Sequence, residues 1–348
     1  MAQQILRYGE VFILKRTVIF FFLISLLFIT GCATTTQNQD SGKIADNSDP
    51  VGQKEVDKRS RENLCIEQID TESFAERSFP YERIVVDSNT IAYYMALYDA
   101  PVVGIPKTSK PLPEKYEGLP EIGIPVDPNI EVIVSLNPDL FVGDKVLEHF
   151  TKEPLEKHGI NTIYLDNSSY DAVYESIIEL GKIFEREEIG EAFVECQKEK
   201  EAAALADIEE LKDKKVALIL GTAEYFKLGT KNSYLGSILE KIGVENIANK
   251  IGETDQDYIT FSKESLLAEN PDYILAISHG GNPAEVKKAF EREFAQPVWD
   301  QVKAKANDQI YYLDSSQFPV TGTIRNVETL EALVDLLAKG ATSDDVAN

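Results

Sequence analysis

The chain is poor in the residues that most often carry covalent and metal chemistry. Its 348 residues include three cysteines, three histidines, two methionines and one tryptophan. Three scattered histidines are too few for a His-rich catalytic metal centre. No CxxC, HExxH, Walker-type phosphate loop or nucleophile elbow occurs. These absences leave a surface-anchored metalloenzyme only as a rival reading from another class. Basic residues are also short. The 35 Lys and Arg against 59 Asp and Glu give a net charge of −24, which repels phosphate backbones and argues against nucleic acid as a partner. Beyond Cys32, only Cys65 and Cys196 remain, which is no disulfide framework. Both are expected as free or solvated thiols, and whether they pair is left open.

One long apolar run stands out, Val18 to Ile29, preceded by Lys15 and Arg16 and followed by Thr30-Gly31-Cys32. A basic start, an apolar stretch of about a dozen residues and small residues at the cut read as a signal peptide over 1–31. A confident transmembrane helix needs about 20 apolar residues. The cysteine after the small residue resembles a lipobox, in which Cys32 is lipidated and becomes the new N-terminus. Two or more acyl chains, palmitate among them, hold stably at roughly 0.8 kcal/mol per buried methylene. The expected location is the cell membrane, lipid-anchored, on its extracytoplasmic face. Residues 32–80 have little apolar period and are expected as anchor and flexible tether.

From there the chain alternates. Short apolar runs at 84–86, 101–105, 140–142 and 162–165 are separated by helical patterns, and Asp87-Ser88-Asn89-Thr90 offers helix caps. Asp171 to Leu211 carries almost no breaker, and its apolar period predicts one long helix or two joined segments. Lys215 to Gly221 restarts the alternation. The pattern predicts an α/β fold of two lobes with mainly parallel sheets. The first lobe is expected over 81–170, the helical connection over 171–212, the second lobe over 213–340 and a tail over 341–348. The blocks echo one another: Glu131 stands six residues before Asn137-Pro138-Asp139, and Glu264 six before Asn270-Pro271-Asp272. A carboxylate at a helix start ordinarily compensates the dipole; the pair at equal offset suggests a shared docking role.

The lipobox, two α/β lobes, helical connection and paired glutamates resemble the substrate-binding lipoproteins serving ABC importers of iron siderophores, vitamin B12 and heme. This is the class III periplasmic-binding-protein type, over about residues 82–340. Pro101–Ser109, Leu112–Tyr116, Glu121–Pro125, Ser233–Gly236, Gln256–Ile259, His279-Gly280, Pro283–Lys288 and Phe318–Thr321 resemble the heme-binding branch found in the Gram-positive iron-regulated surface determinant system. The resemblance implies a receptor, not an enzyme, that captures heme between its lobes and delivers it to an ABC permease dimer. A siderophore or corrinoid ligand is the alternative.

In that branch a histidine of the second lobe and a methionine of the first hold the iron. The histidine falls on His279, at the end of an apolar strand and before a Gly pair. Ligand groups gather at such carboxyl ends, and neutral imidazole is a common heme ligand. The methionine position is Val126, which has no donor atom. Five-coordinate heme, another sixth ligand, or a different chelate remain open. Further candidates at the ligand are Ser88, Asn89 and Thr90 at a helix start, then Thr108, Tyr225, Tyr258, Phe318 and Thr321. Lys107, Lys110 and Arg325 are weaker candidates for carboxylate contacts. His149 is expected on a solvated helix face, His158 at a helix C-terminus and Met95 in the core. Glu131 and Glu264 are the expected permease-docking groups.

Overall fold

A computed structural model describes residues 65, 78–251, 254–280 and 282–339. The expected signal peptide, Cys32, the expected tail 341–348 and most of the expected tether lie outside the described residues.

The first lobe is built on short strands: β1 (Ile84–Val86), β2 (Val102–Gly104), a small hairpin of β3 (Gly123–Ile124) and β4 (Asp127–Pro128), then β5 (Leu140–Asp144) and β6 (Asn161–Leu165). Its main sheet has the order β2-β1-β5-β6 and is parallel throughout. Successive strand residues point to opposite faces. Ile84, Val86, Leu140 and Val142 therefore enter an inner core with helix Asn89–Leu97, while Val85 and Phe141 enter an outer one under helices Ile130–Ser135 and Glu148–Lys157. Apolar residues on both faces are what a parallel sheet covered on both sides requires.

The second lobe contains β7 (Lys215–Gly221), β8 (Phe226–Gly229), β9 (Glu245–Asn246), β10 (Tyr258–Ile259), β11 (Tyr273–Ser278) and β12 (Ile310–Leu313). The order is β10-β8-β7-β11-β12, with β9 on the start of β7. β7, β11 and β12 are parallel; β8 and β10 add antiparallel edges. Val216, Leu218, Leu275 and Ile277 join the same inner core as the first lobe, so one apolar cluster runs through both lobes.

The unpunctuated segment is two helices, Tyr170–Ile183 and Glu187–Ala204. Glu185 takes a left-handed φ of 55° between them. The second helix returns along the first: the Tyr174 hydroxyl donates to Glu201 Oε2 at 3.4 Å, and the Lys198 ammonium lies 5.9 Å from the Tyr174 ring. The C-terminal helix Asn326–Lys339 packs on this hairpin, with Val327 N–H donating to Gln197 Oε1 at 3.1 Å.

Two expectations are corrected here. Cys65 and Cys196 are not free thiols but form a disulfide across 131 residues of sequence. Their Cα atoms stand 5.9 Å apart, inside the span a bridge needs. Cys65 is fully buried, so the chain is already fixed within the stretch expected as tether. Phe79 likewise packs on Phe184, ring centroids 4.7 Å apart.

The internal echo is a repeated joint. Asn137 and Asn270 both turn through left-handed φ, 47° and 49°, which Asn tolerates better than most residues. The Asp139 carboxylate then accepts the N–H groups of Glu82 (2.6 Å) and Arg83 (3.0 Å) beside β1. Asp272 accepts Lys215 N–H at the start of β7, at 2.9 Å. Each joint stitches a helix end to the neighbouring parallel strand.

Candidate functional site

In open α/β sheets ligands gather beyond the carboxyl ends of the strands. In the first lobe, β1 is followed at once by Asp87. Its two carboxylate oxygens accept the Asp144 N–H at 3.1 and 3.0 Å, at the end of β5. A Cβ on Gly143 would come within 2.5 Å of Asp87 Oδ2, so only glycine admits this approach. Asp144 Oδ2 accepts from Asn167 Nδ2 at 3.0 Å, and Asn167 Oδ1 accepts the Tyr94 hydroxyl at 2.8 Å. The Asn167 carbonyl then accepts Gly322 N–H, from beyond the second lobe's sheet, at 2.8 Å. Burial, then the Asp144 charge, pushes the Asp87 carboxyl well above its ordinary range; burial also raises Asp144. This buried node ties the first lobe's strand ends to the hinge. Sequence reading took Asp87 as a possible cap and passed over Asp144 and Asn167. Acidic residues closing two apolar strands were the available signal.

Ser88 is the true cap, its Oγ accepting Ile91 N–H at 3.3 Å, and Thr90 is buried. Asn89 opens the helix, half-buried. Past β2, the Thr108 hydroxyl accepts Lys110 N–H at 3.0 Å, and Lys107 N–H bonds Gly123 O at 2.8 Å. That bond holds the β3–β4 hairpin against the carboxyl-side extension of β2. Gly123 sits at φ 99°, and a Cβ there would meet Asp127 O at 2.8 Å. Val126, at the hairpin tip, is 56% exposed.

In the second lobe β7 ends at Gly221, and a tight turn follows in which Thr222 Oγ1 accepts the N–H groups of Glu224 and Tyr225. Tyr225 is exposed, with the Lys227 ammonium 5.7 Å from its ring. β11 ends at Ser278, and His279 N–H bonds Gly221 O at 2.9 Å. The imidazole is reachable from solvent yet crowded by protein. Partial burial, and then the Lys110 ammonium of the first lobe, push its pKa below 6.5. His279 is therefore neutral at pH 7 and senses a first-lobe cation across the gap.

Other expected site residues fall elsewhere. Phe318 is 3% exposed and belongs to the shared core, so it offers a ligand no surface. Thr321 is half-buried beside Gly322 in the segment that meets the hinge. Tyr258 lies on the antiparallel edge strand β10, its phenol turned toward Ser233 inside the second lobe without a hydrogen bond, and burial raises its pKa. Tyr234 is buried, its hydroxyl donating to Asn326 Oδ1 at 2.9 Å. Met95 is in the core and His158 caps a helix C-terminus, both as expected. His149 is exposed in the first turn of helix Glu148–Lys157.

A polar recess of about 590 Å³ opens between Ser168, Ser169 and Asp171 on one side and Lys231, Asn232 and Asp257 on the other. It shares no residue with the His279 edge. Burial and the facing Asp166 raise the Asp257 pKa. A carboxylate-lined recess suits water better than a flat apolar ligand, so His279 and its surroundings are the stronger candidate.

Two parallel-stranded lobes, joined by a helical hairpin and carrying polar groups at their strand ends, define a two-lobed solute-binding protein. The chain belongs to the periplasmic binding protein family, whose model matches residues 84–317. It is 31% identical over 257 residues to the high-affinity heme uptake system protein IsdE of Staphylococcus aureus, covering 72% of this chain and 86% of the relative. The crystal structure of S. aureus IsdE complexed with heme superposes with a TM-score of 0.66 at 29% identity, over 73% of this chain and 98% of that one. An ABC transporter substrate-binding protein from Listeria monocytogenes gives 0.68 at 27%, over 74% and 98%. S. aureus SirA complexed with staphyloferrin B shares the fold at 21% identity, with a TM-score of 0.62 over 74% and 93%. The chain is thus a substrate-binding protein of the ABC-importer type and not an enzyme.

Proposed function

We propose that the protein captures heme, an iron porphyrin, and delivers it to an ABC permease. One observation carries this reading: an accessible, neutral imidazole stands at the carboxyl end of β11, within electrostatic reach of the first lobe's Lys110. Among the described residues, the large apolar side chains left exposed are Ile124, Val126, Val146 and Tyr225. Ile124 ends β3 and Val126 stands at the tip of the hairpin that follows β2, Val146 lies in the helical turn after β5, and Tyr225 in the turn after β7. A porphyrin needs apolar surface for its faces and one lone pair for its iron; His279 supplies the lone pair. Lys107 and Lys110, exposed beside the same edge, suit the propionates. The relative IsdE, a heme uptake protein seen with heme, supports the reading.

A ferric iron–siderophore is the second reading. It is favoured by Val126, which offers iron nothing, and by the same lysines, which suit any carboxylate chelate. Titration with ferric heme separates the two. A saturable, intense Soret band supports heme; no band, with binding of a ferric carboxylate siderophore, overturns it.

The receptor is held at the outer face of the cell membrane by acylated Cys32. The buried disulfide supports an oxidising compartment. Among the described residues no helix is long and apolar enough to cross a membrane. Cys32→Ser should move the protein from the membrane to the soluble fraction; retention would remove the anchor. Glu131 and Glu264 sit in the first turns of helices capped by Asn129 and Ser262, one on each lobe. Their matched joints suit docking to the two halves of a permease dimer.

A further inference from the structure

This inference rests on the docking reading of Glu131 and Glu264 and deepens it. The helices that carry them, Ile130–Ser135 and Lys263–Glu269, have six and seven residues. Helices that short hold themselves poorly in water, because few of their hydrogen bonds are internal. Their direction is set by what holds each end. The starts are held alike: Asn129 Oδ1 accepts Val132 N–H and Ser262 Oγ accepts Ser265 N–H, both at 3.1 Å.

The ends are held alike as well, each by a cation from a distant part of the chain. Leu136 and Glu269 each stand five residues after the glutamate. Arg83 Nε and Nη2 donate to the Leu136 carbonyl at 3.1 and 2.7 Å, and Nε also donates to Asn137 O at 3.2 Å. Lys215 Nζ donates to the Glu269 carbonyl at 3.1 Å and to its carboxylate at 3.0 Å. A cation at a helix C-terminus meets both the orphaned carbonyls and the negative end of the dipole.

Both cations are themselves fixed. Arg83 directly precedes β1 and gives its backbone N–H to Asp139; Lys215 opens β7 and gives its backbone N–H to Asp272. Helix end, strand start and aspartate thus form one clamp in each lobe. The two strands in turn feed one core, because Ile84 and Val86 of β1 share an apolar cluster with Val216 and Leu218 of β7. Glu131 and Glu264 are exposed, yet each is tied through its clamp to the core that both lobes share.

We propose that Arg83 and Lys215 are positioning residues for docking. They fix the helices of Glu131 and Glu264 so that the two carboxylates stand at a preset separation, matched to two basic sites on a permease dimer. A preset pair loses less freedom on binding, and once one carboxylate has engaged, the other meets its site at high effective concentration.

The full-length protein is bound to its ABC permease in nanodiscs and the dissociation constant is measured, with circular dichroism as the check of folding. Arg83→Met keeps the apolar stem and removes the donors. It should leave the dichroism unchanged and weaken association about tenfold, as Glu131→Ala does. Arg83→Lys, which keeps a donor for the Leu136 carbonyl, should restore most of the affinity. Both losses act through one carboxylate, so Arg83→Met combined with Glu131→Ala should bind no more weakly than Glu131→Ala alone. Lys215→Met with Glu264→Ala repeats the cycle in the second lobe and carries the test if Arg83→Met does not fold. Additive losses, or an Arg83→Met that binds like the wild type while Glu131→Ala does not, overturn the positioning role and leave docking in place. Association untouched by Glu131→Ala and Glu264→Ala overturns the docking reading and this proposal with it.

Discussion

At the first lobe's strand ends the polar groups are spent on the protein itself, whereas at the second lobe's they stay open. Asp87, Asp144 and Asn167 close a buried network that reaches Gly322 across the hinge. His279, at the end of β11, gives its backbone N–H to Gly221 and leaves its imidazole accessible. The two lobes share a joint and a parallel scaffold, so the scaffold does not dictate the use. What differs is burial. A carboxyl group taken from water must be protonated or bonded, and Asp87 is both raised in pKa and bonded. An imidazole left at the surface costs little and stays available.

The largest effect expected from breaking this contrast is at Asn167. Asn167→Ala strips the buried Tyr94 hydroxyl and Asp144 carboxyl of their partner. Each orphaned group costs about 1–3 kcal/mol, so urea unfolding should show a loss of about 2–6 kcal/mol. A loss below about 1 kcal/mol would mean that the node does not hold the hinge.

On the open side, His279→Ala should spare folding and weaken ferric heme binding at least tenfold, about 1.4 kcal/mol, with a shifted Soret band. An unchanged spectrum and affinity would remove His279 from the site.

The contrast also has a pH signature with opposite signs. Asp87 is raised above its ordinary 3.8, so the folded state binds the proton more tightly than the unfolded chain. Its contribution is complete below about pH 4 and is lost as pH rises through the raised folded value. His279 is lowered from 6.5, so its contribution is complete above that value and is lost as pH falls through the folded one. Asp87→Asn should flatten the decline of stability with rising pH, measured by urea midpoints at pH 5 and 8. An unaltered slope would show that Asp87 is ionised in the fold.

The smallest effect on the isolated protein is expected where the lobes are alike. Glu131 and Glu264 sit at the starts of matched helices, and changing both to Ala should alter stability by no more than about 0.5 kcal/mol and leave ligand affinity intact. Import by a reconstituted permease should fall, with the deficit largest at low salt, because salt screens the surface charges that steer docking. Import at the normal rate would return both groups to dipole compensation.

Much of this was legible from the chain. The short continuous apolar runs, the helical spacing and the two Asn-Pro-Asp stops made the α/β alternation and the joints readable, because those signals arise between residues a few positions apart. The strand end before His279-Gly280 is local in the same way. Tertiary structure alone decided the rest. Cys65 meets Cys196 across 131 residues, and no spacing rule reaches that far. Phe318 looks like a ligand-facing aromatic by type, but the inner core shared by both lobes buries it. The Asp87–Asp144–Asn167 node exists because residues at or just past the ends of β1, β5 and β6 meet the Gly322 segment. Periodicity determines what an element buries, whereas only packing decides which elements meet.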